Sequence, residues 1–240
     1  MFNSGSRLMA VAAANKISPV PIANVLALLH FDGTSGSAAI VDTRGNPLTV
    51  RSGVVLSDTT SKFGGTSGSF DGSGGHYISS TNPIPGLAFG TGDFCVEGFV
   101  NFSALGGGGI TRGVFQISTS STGLYGSFAN TLALDSRTLD TLWEIYASNG
   151  QPAASSAPVI GTWYHFAVQR VSGTTKLFIN GVPLISLPDT QDYTGTYLSV
   201  GGIYDTPHMM DGYIDEFRVC NVAVYPVNGF TVPTAPFPNS

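Results

Sequence analysis

The sequence predicts an all-β chain built from antiparallel sheets, on three observations. Short runs rich in Val, Ile, Phe, Tyr and Thr recur from Asn24 to about Val224, punctuated by Gly, Ser, Asn and Asp, as strands joined by turns would be. No run of helix length carries a competing 3.6-residue period. Glycine supplies 31 of the 240 residues and charged side chains only 10%, against about 25% in an ordinary domain. The surface is therefore built from Ser, Thr, Asn and Gly.

A β-sandwich of this length can be one domain and can bury a sizeable core. The formal net charge is −5, and the ten Lys and Arg are scattered singly, which leaves no basic footprint for nucleic acid. No apolar run approaches the roughly 20 residues of a membrane-spanning helix. Residues 7–15, RLMAVAAAN, have the flavour of a signal peptide, but the apolar stretch sits at the bottom of the accepted length. Secretion by this route is not expected. The two cysteines, Cys95 and Cys220, fit no metal spacing and no disulfide framework. Two buried free thiols are expected in preference to a disulfide.

Taken in order, residues 1–23 lack a sustained period and end in Ser18-Pro19-Val20-Pro21, whose prolines hold the chain extended. They read as an arm. Strands are expected at 25–31, 37–41, 94–102, 114–118, 131–134, 142–147, 164–171, 176–180, 197–200 and 213–219. The run at 104–110 carries four consecutive glycines; a flexible loop is expected there before a close backbone approach. Asn180-Gly181 lies between two apolar runs and marks a hairpin with a type I′ turn. Residues 225–240 are proline-spaced, unsuited to a central strand, and read as an extended tail over the surface. The organisation expected is an arm at 1–23, a globular unit at 24–224 and a tail at 225–240.

One stretch poses a question. In GYIDEFRVC at 212–220, strict alternation puts Asp215 on the same face as Tyr213, Phe217 and Val219. A lone buried carboxylate costs several kcal/mol, on the order given by desolvation of an ion, so it needs a cation, an arginine or backbone N–H donors.

Other chemistry-bearing residues are sparse. The three glutamates, Glu97, Glu144 and Glu216, are isolated in sequence, so the clustered Glu-x-Asp-x-x-Glu set of a glycoside hydrolase is missing. Glu97 and Glu144 would have to converge in space to act as a pair. His165 and His30 read as hydrogen-bonded structural residues, with His76 and His208 at loop edges. No nucleophile elbow, phosphate loop or His-rich metal motif occurs, and no enzymatic activity is expected. Asp32, Asp42, Asn46 and Asp58 fit ordinary turn chemistry. Tyr125, Tyr146, Tyr193 and Tyr204 stand beside Gly, Ser, Asp or Asn, the mixture that binds sugars by stacking and hydrogen bonds; core or rim packing is the competing role.

Four blocks resemble the laminin-G-like branch of the concanavalin A-like jelly rolls: 68–79 (GSFDGSGGHYIS), 89–102 (FGTGDFCVEGFVNF), 161–184 (GTWYHFAVQRVSGTTKLFINGVPL) and 212–220. The resemblance implies a two-sheet antiparallel jelly-roll sandwich. It also implies a structural calcium held by Asp215 with Asp71 as neighbour; the alternative is that Asp215 caps backbone N–H groups of a nearby turn. Phe99 stands where this family usually has Trp, and Gly98 precedes it, which implies looser or reshaped packing. The blocks at 26–37, 61–72 and 221–237 are similar to laminin-G-like domains of tailed-bacteriophage virion proteins. That resemblance implies a virion structural protein, first of all a capsid decoration protein on the particle surface. Its partners would be the major capsid protein, copies of itself and cell-surface glycans, with Arg7, Leu8, Met9 and Val11 of the arm as anchors. A glycan-binding adhesin of the tail or fibre is the second reading, and a concanavalin A-like glycosidase the third.

Overall fold

The computed structural model describes residues 20–51, 53–120, 130–203 and 208–239. After one 3-10 turn at Ile22–Asn24, the strands in chain order are β1 (Val25–Leu29), β2 (Leu48–Val50), β3 (Val55–Ser57), β4 (Ser67–Asp71), β5 (Ile78–Ser80), β6 (Phe94–Phe102) and β7 (Arg112–Ser118). They continue as β8 (Leu132–Ser136), β9 (Trp143–Tyr146), β10 (Trp163–Val171), β11 (Thr174–Ile179), β12 (Val182–Pro188), β13 (Tyr197–Val200) and β14 (Asp211–Cys220). All pairings are antiparallel. One sheet runs β12-β11-β10-β6-β14-β4-β3 with β1 also on β14, and the other runs β2-β5-β13-β7-β8-β9. The two sheets form the expected jelly-roll sandwich.

Alternation explains how the sheets pack. Val96, Val100, Phe102, Phe166, Val168 and Leu177 of the eight-stranded sheet meet Phe115, Ile117, Leu134, Trp143, Ile145 and Leu198 of the other in one continuous core. Each such fully buried side chain contributes about 1.5–3 kcal/mol. The hairpin at Asn180-Gly181 has both central residues at positive φ, 50° and 77°, as a type I′ turn demands. Residues 37–41 form no strand. Gly36 N–H donates to the Leu56 carbonyl and Leu56 N–H to the Ser37 carbonyl; farther on the chain bonds to itself, through Ala39 N–H to Ser37 Oγ and Ile40 N–H to the Ala38 carbonyl. In the glycine run, Gly106 is closely approached, because a Cβ there would lie 2.4 Å from the Ser136 and Arg137 carbonyl oxygens.

The strand carrying Asp215 departs from strict alternation. Its register on β6 shifts between Asp215 and Arg218, and Glu216 takes φ 50°, so one extra residue is inserted as a bulge. Ile214 and, beyond the bulge, Phe217 and Val219 all enter the central core. Asp215 therefore does not share a face with Phe217 and Val219, as strict alternation would have it. The bulge also divides the strand's other edge: residues before it pair with β4 and residues after it with β1.

The outer face of the eight-stranded sheet carries a second apolar cluster and is covered. Leu28, Cys95, Phe99, Ala167, Phe178 and Cys220 form a second buried cluster with Tyr225 and Phe237 of the tail. Cys95 and Cys220 are directly opposite, buried and free. Gln169 fastens the tail: its side-chain oxygen accepts the Val224 and Tyr225 N–H groups at 2.6 and 2.7 Å, and its amide donates to the Tyr225 carbonyl at 2.8 Å. Farther along, the Phe237 N–H donates to Glu216 at 2.8 Å. Packing around Gly98 is close. The Phe166 ring lies 3.2 Å from where its Cβ would be, while Phe99 packs edge-on against Phe63 and His165.

Candidate functional site: a polar cleft on the six-stranded sheet

The outer face of the six-stranded sheet carries rows of polar side chains. Register aligns Ser79, Ser199, Gln116, Ala133 and Tyr146 in one row across five strands. The next row carries Gly113, Asp135 and Glu144. Above its β8–β9 end opens a cleft of about 380 Å3, lined by Thr111, Arg137, Leu139, Glu144, Tyr146 and His208 among others. This volume lies within the range of small-molecule sites. The 137–142 turn joining β8 to β9 supplies one wall, including Leu139, which is 83% exposed.

Charge in the cleft is unevenly compensated. Arg137 Nε donates to Asp140 Oδ1 at 3.0 Å, Nη2 donates to the same carboxylate, and Nη1 lies 3.6 Å from Glu144. Burial pushes Glu144 up to about 7, against the opposing pull of Arg137. Asp135, directly opposite Glu144, has no exposed surface, and no described residue donates a hydrogen bond to either of its oxygens. Burial and the neighbouring Glu144 hold its carboxyl well above the usual range. Burial lowers His208 and so works against a positive charge there.

The residues singled out by sequence scatter. Tyr193 is a core residue whose hydroxyl donates to Asp189 at 2.9 Å and accepts the Ser148 N–H at 3.1 Å, so it offers no ring to a ligand. Tyr146 is 4% exposed and contributes only to the cleft's lining. Tyr125, Tyr204 and the anchoring residues Arg7, Leu8, Met9 and Val11 lie outside the described residues. Glu97 and Glu144 do not converge, because they face outward from opposite sheets. Glu97 is held by Arg218, His165 and Tyr225 beneath the tail. His165 and His30 are structural, His30 pairing with Glu216 at 2.8 Å. Asp42 does turn chemistry, accepting the Leu28 and Arg44 N–H groups at 3.0 and 2.8 Å.

Asp215 resolves through the backbone. Its Oδ2 accepts the Lys62 and Phe63 N–H groups at 2.7 and 3.0 Å, the turn-capping alternative. Burial nevertheless raises it to about 7. Asp71 sits opposite Asp211, four residues earlier on β14, and that separation is about 13 Å along a strand. Its Oδ1 accepts the Ser73 N–H at 2.9 Å and contacts His76. The two aspartates implied as calcium ligands do not meet, so this pair does not fit a shared ion.

Asp135 and Arg137 were missed by sequence reasoning. A signal existed: the short turn between LALDS and WEIY sets a hairpin register that brings Asp135 opposite Glu144. An outward carboxylate on a strand is usually solvated, which hides it.

A family model for Laminin_G_3, described as concanavalin A-like lectin/glucanases superfamily, matches residues 71–226. The chain belongs to this superfamily. No curated protein matches the sequence. Among solved structures, domain 4 of AbnA, a GH43 extracellular arabinanase from Geobacillus stearothermophilus in complex with arabinotriose, is 19% identical. The alignment covers 85% of this chain and 95% of that domain with a TM-score of 0.59. The binding domain of Paraclostridial Mosquitocidal Protein 1 is 13% identical over 84% of this chain and 50% of the other, with a TM-score of 0.61. Trypanosoma rangeli sialidase is 13% identical over 88% of this chain and 34% of its own, with a TM-score of 0.58. These identities show a superfamily fold alone, and this chain spans half or less of the toxin and sialidase chains. No helix among the described residues is long and apolar enough to cross a membrane.

Proposed function

We propose that this superfamily member is a carbohydrate-binding domain that takes a sugar in the β8–β9 cleft. The observation that carries this reading is the cleft's composition. Hydroxyl, guanidinium, carboxylate and amide groups converge around an exposed leucine and the edge of a tyrosine, which suits a ligand that is polar at its rim and apolar on its ring faces. Support by analogy comes from the arabinanase domain, solved in complex with arabinotriose. Binding rather than turnover is the reading, since Asp135 has no exposed surface from which to act on a glycosidic bond.

Titration of the purified chain with a panel of soluble oligosaccharides tests it. Exposed Gln151 lines the cleft, and Gln151→Ala should weaken binding about threefold to tenfold, as the loss of a hydrogen bond worth about 1 kcal/mol predicts. Absence of binding to every member, or release of reducing ends, would overturn the reading.

We place the domain on the surface of a tailed-phage particle, as a decoration protein. Support is the resemblance of the blocks at 26–37, 61–72 and 221–237. The low-charge surface would meet major capsid protein, with residues 1–23 as anchor and copies gathered at symmetry axes. Particles lacking the protein should bind it saturably and in symmetric stoichiometry, and the 1–23 deletion should not bind. Glycan binding without particle binding would move it to a tail or fibre adhesin.

A further inference from the structure

We infer that the cleft selects a sugar bearing a free amino group, with the ammonium meeting Glu144 and Asp135 lying behind it. This inference rests on the carbohydrate-binding reading and names its ligand class.

Directly opposed residues of an antiparallel pair project from the same face, so Asp135 and Glu144 point together toward the cleft side of the sheet. Asp135 is fully buried and accepts no hydrogen bond from a described residue. A carboxylate so placed normally has a paired cation. The cation at hand is Arg137, yet its Nε and Nη2 are already committed to Asp140. One guanidinium thus faces three carboxylates, those of Asp135, Asp140 and Glu144. The other titratable groups here do not repair the imbalance: Tyr146 hydrogen-bonds Glu144, and burial lowers His208. Burial raises the carboxyls of Glu144 and Asp135, and the shared Arg137 does not bring either back down.

Three ligand chemistries can be compared. An acidic sugar would meet like charges and find Arg137 engaged. A neutral sugar would bring no positive charge to Glu144 or to Asp135 behind it. An ammonium supplies one positive charge and three N–H donors. A divalent cation fits less well, because calcium wants six to eight oxygens. Here Arg137 lies 3.6 Å from Glu144, and no group of three His, Cys, Asp or Glu side chains suited to a metal occurs among the described residues.

The test uses the full chain and matched sugars: glucose, glucosamine and N-acetylglucosamine, the same three forms of galactose, and sialyllactose as the acidic probe. Affinities are read by titration at pH 7, with EDTA and then with calcium. Each amino sugar should bind about tenfold tighter than its N-acetylated partner, with sialyllactose weakest. Glu144→Gln should collapse that ratio toward one, and Asp135→Asn should reduce it although Asp135 touches no ligand. Thermal unfolding confirms that both variants fold. Equal affinity across a matched set would overturn the inference and leave the carbohydrate-binding reading standing. So would a preference for sialyllactose, a ratio unchanged by Glu144→Gln, or binding that requires calcium. Binding of no sugar at all would overturn both.

Discussion

Two buried carboxylates show how environment decides what an acidic residue does. Glu97 has no exposed surface, yet Arg218 Nε and Nη2 donate to its Oε1 at 3.0 and 2.6 Å. Burial alone would push Glu97 up; Arg218, His165 and Tyr225 together outweigh burial and hold it below the ordinary value. Asp215 has backbone donors but no cation, and burial wins. Removing one partner of a buried pair strands the other charge, so Arg218→Met should cost about 3–5 kcal/mol in urea unfolding. A cost under about 1 kcal/mol would mean that the pair is not buried in solution. The thiols behave differently again. Burial pushes Cys220 up to about 12, so neither cysteine should react with a thiol reagent until the protein unfolds. Stoichiometric labelling of the native chain would show that the tail lifts off the sheet.

At the scale of elements, the tail is the part whose role most exceeds its appearance. Its prolines exclude it from the sheet ladder, yet the Tyr225 and Phe230 rings stack, and Phe237 lies over the Arg218 guanidinium at 4.1 Å. Tyr225→Phe should cost about 1–2 kcal/mol by removing the hydroxyl that Glu97 accepts from. Deleting 225–240 should cost more, because it also uncovers Leu28, Phe99 and Phe178. A truncated chain with unchanged midpoint would mean that the sheet needs no cover. Much of this fold was legible in sequence. The β6 and β13 strands coincide with the expected 94–102 and 197–200, because alternation over β-branched and aromatic residues is a strong local signal. The short strands β2, β3 and β5 were not read, since three residues carry too little periodicity. The bulge at Glu216 was invisible too: one inserted residue leaves no compositional mark but inverts every face assignment beyond it. The cleft was least legible, as its residues meet only through hairpin register and sheet order.

For the molecule as a whole, the perturbed groups combine into a stability profile of definite sign. Glu97 sits below its ordinary 4.5, so the unfolded chain binds its proton more readily, and stability rises with pH up to about that value. Glu144 and Asp215 are each raised to about 7, from 4.5 and 3.8. Between those limits the folded chain holds the proton and the unfolded chain does not, so stability falls as pH rises. His30 continues the trend. Its hydrogen bond to Glu216 raises it from 6.5 to about 9, so its contribution is complete below 6.5 and lost as pH climbs through 9. The net charge of −5 at pH 7 adds self-repulsion on the same side. The thermal midpoint should therefore peak near pH 5 and decline steadily toward pH 9, measured at low concentration because pH 5 lies close to the isoelectric point of about 5.1. Asp215→Asn should flatten the slope between pH 4 and 7, and His30→Gln the slope between 6.5 and 9. A midpoint that peaks at pH 7–8 and falls toward pH 5 would mean that the buried carboxylates are ionised and paired in solution, with Asp135 and Glu144 compensated by a cation that the chain itself supplies.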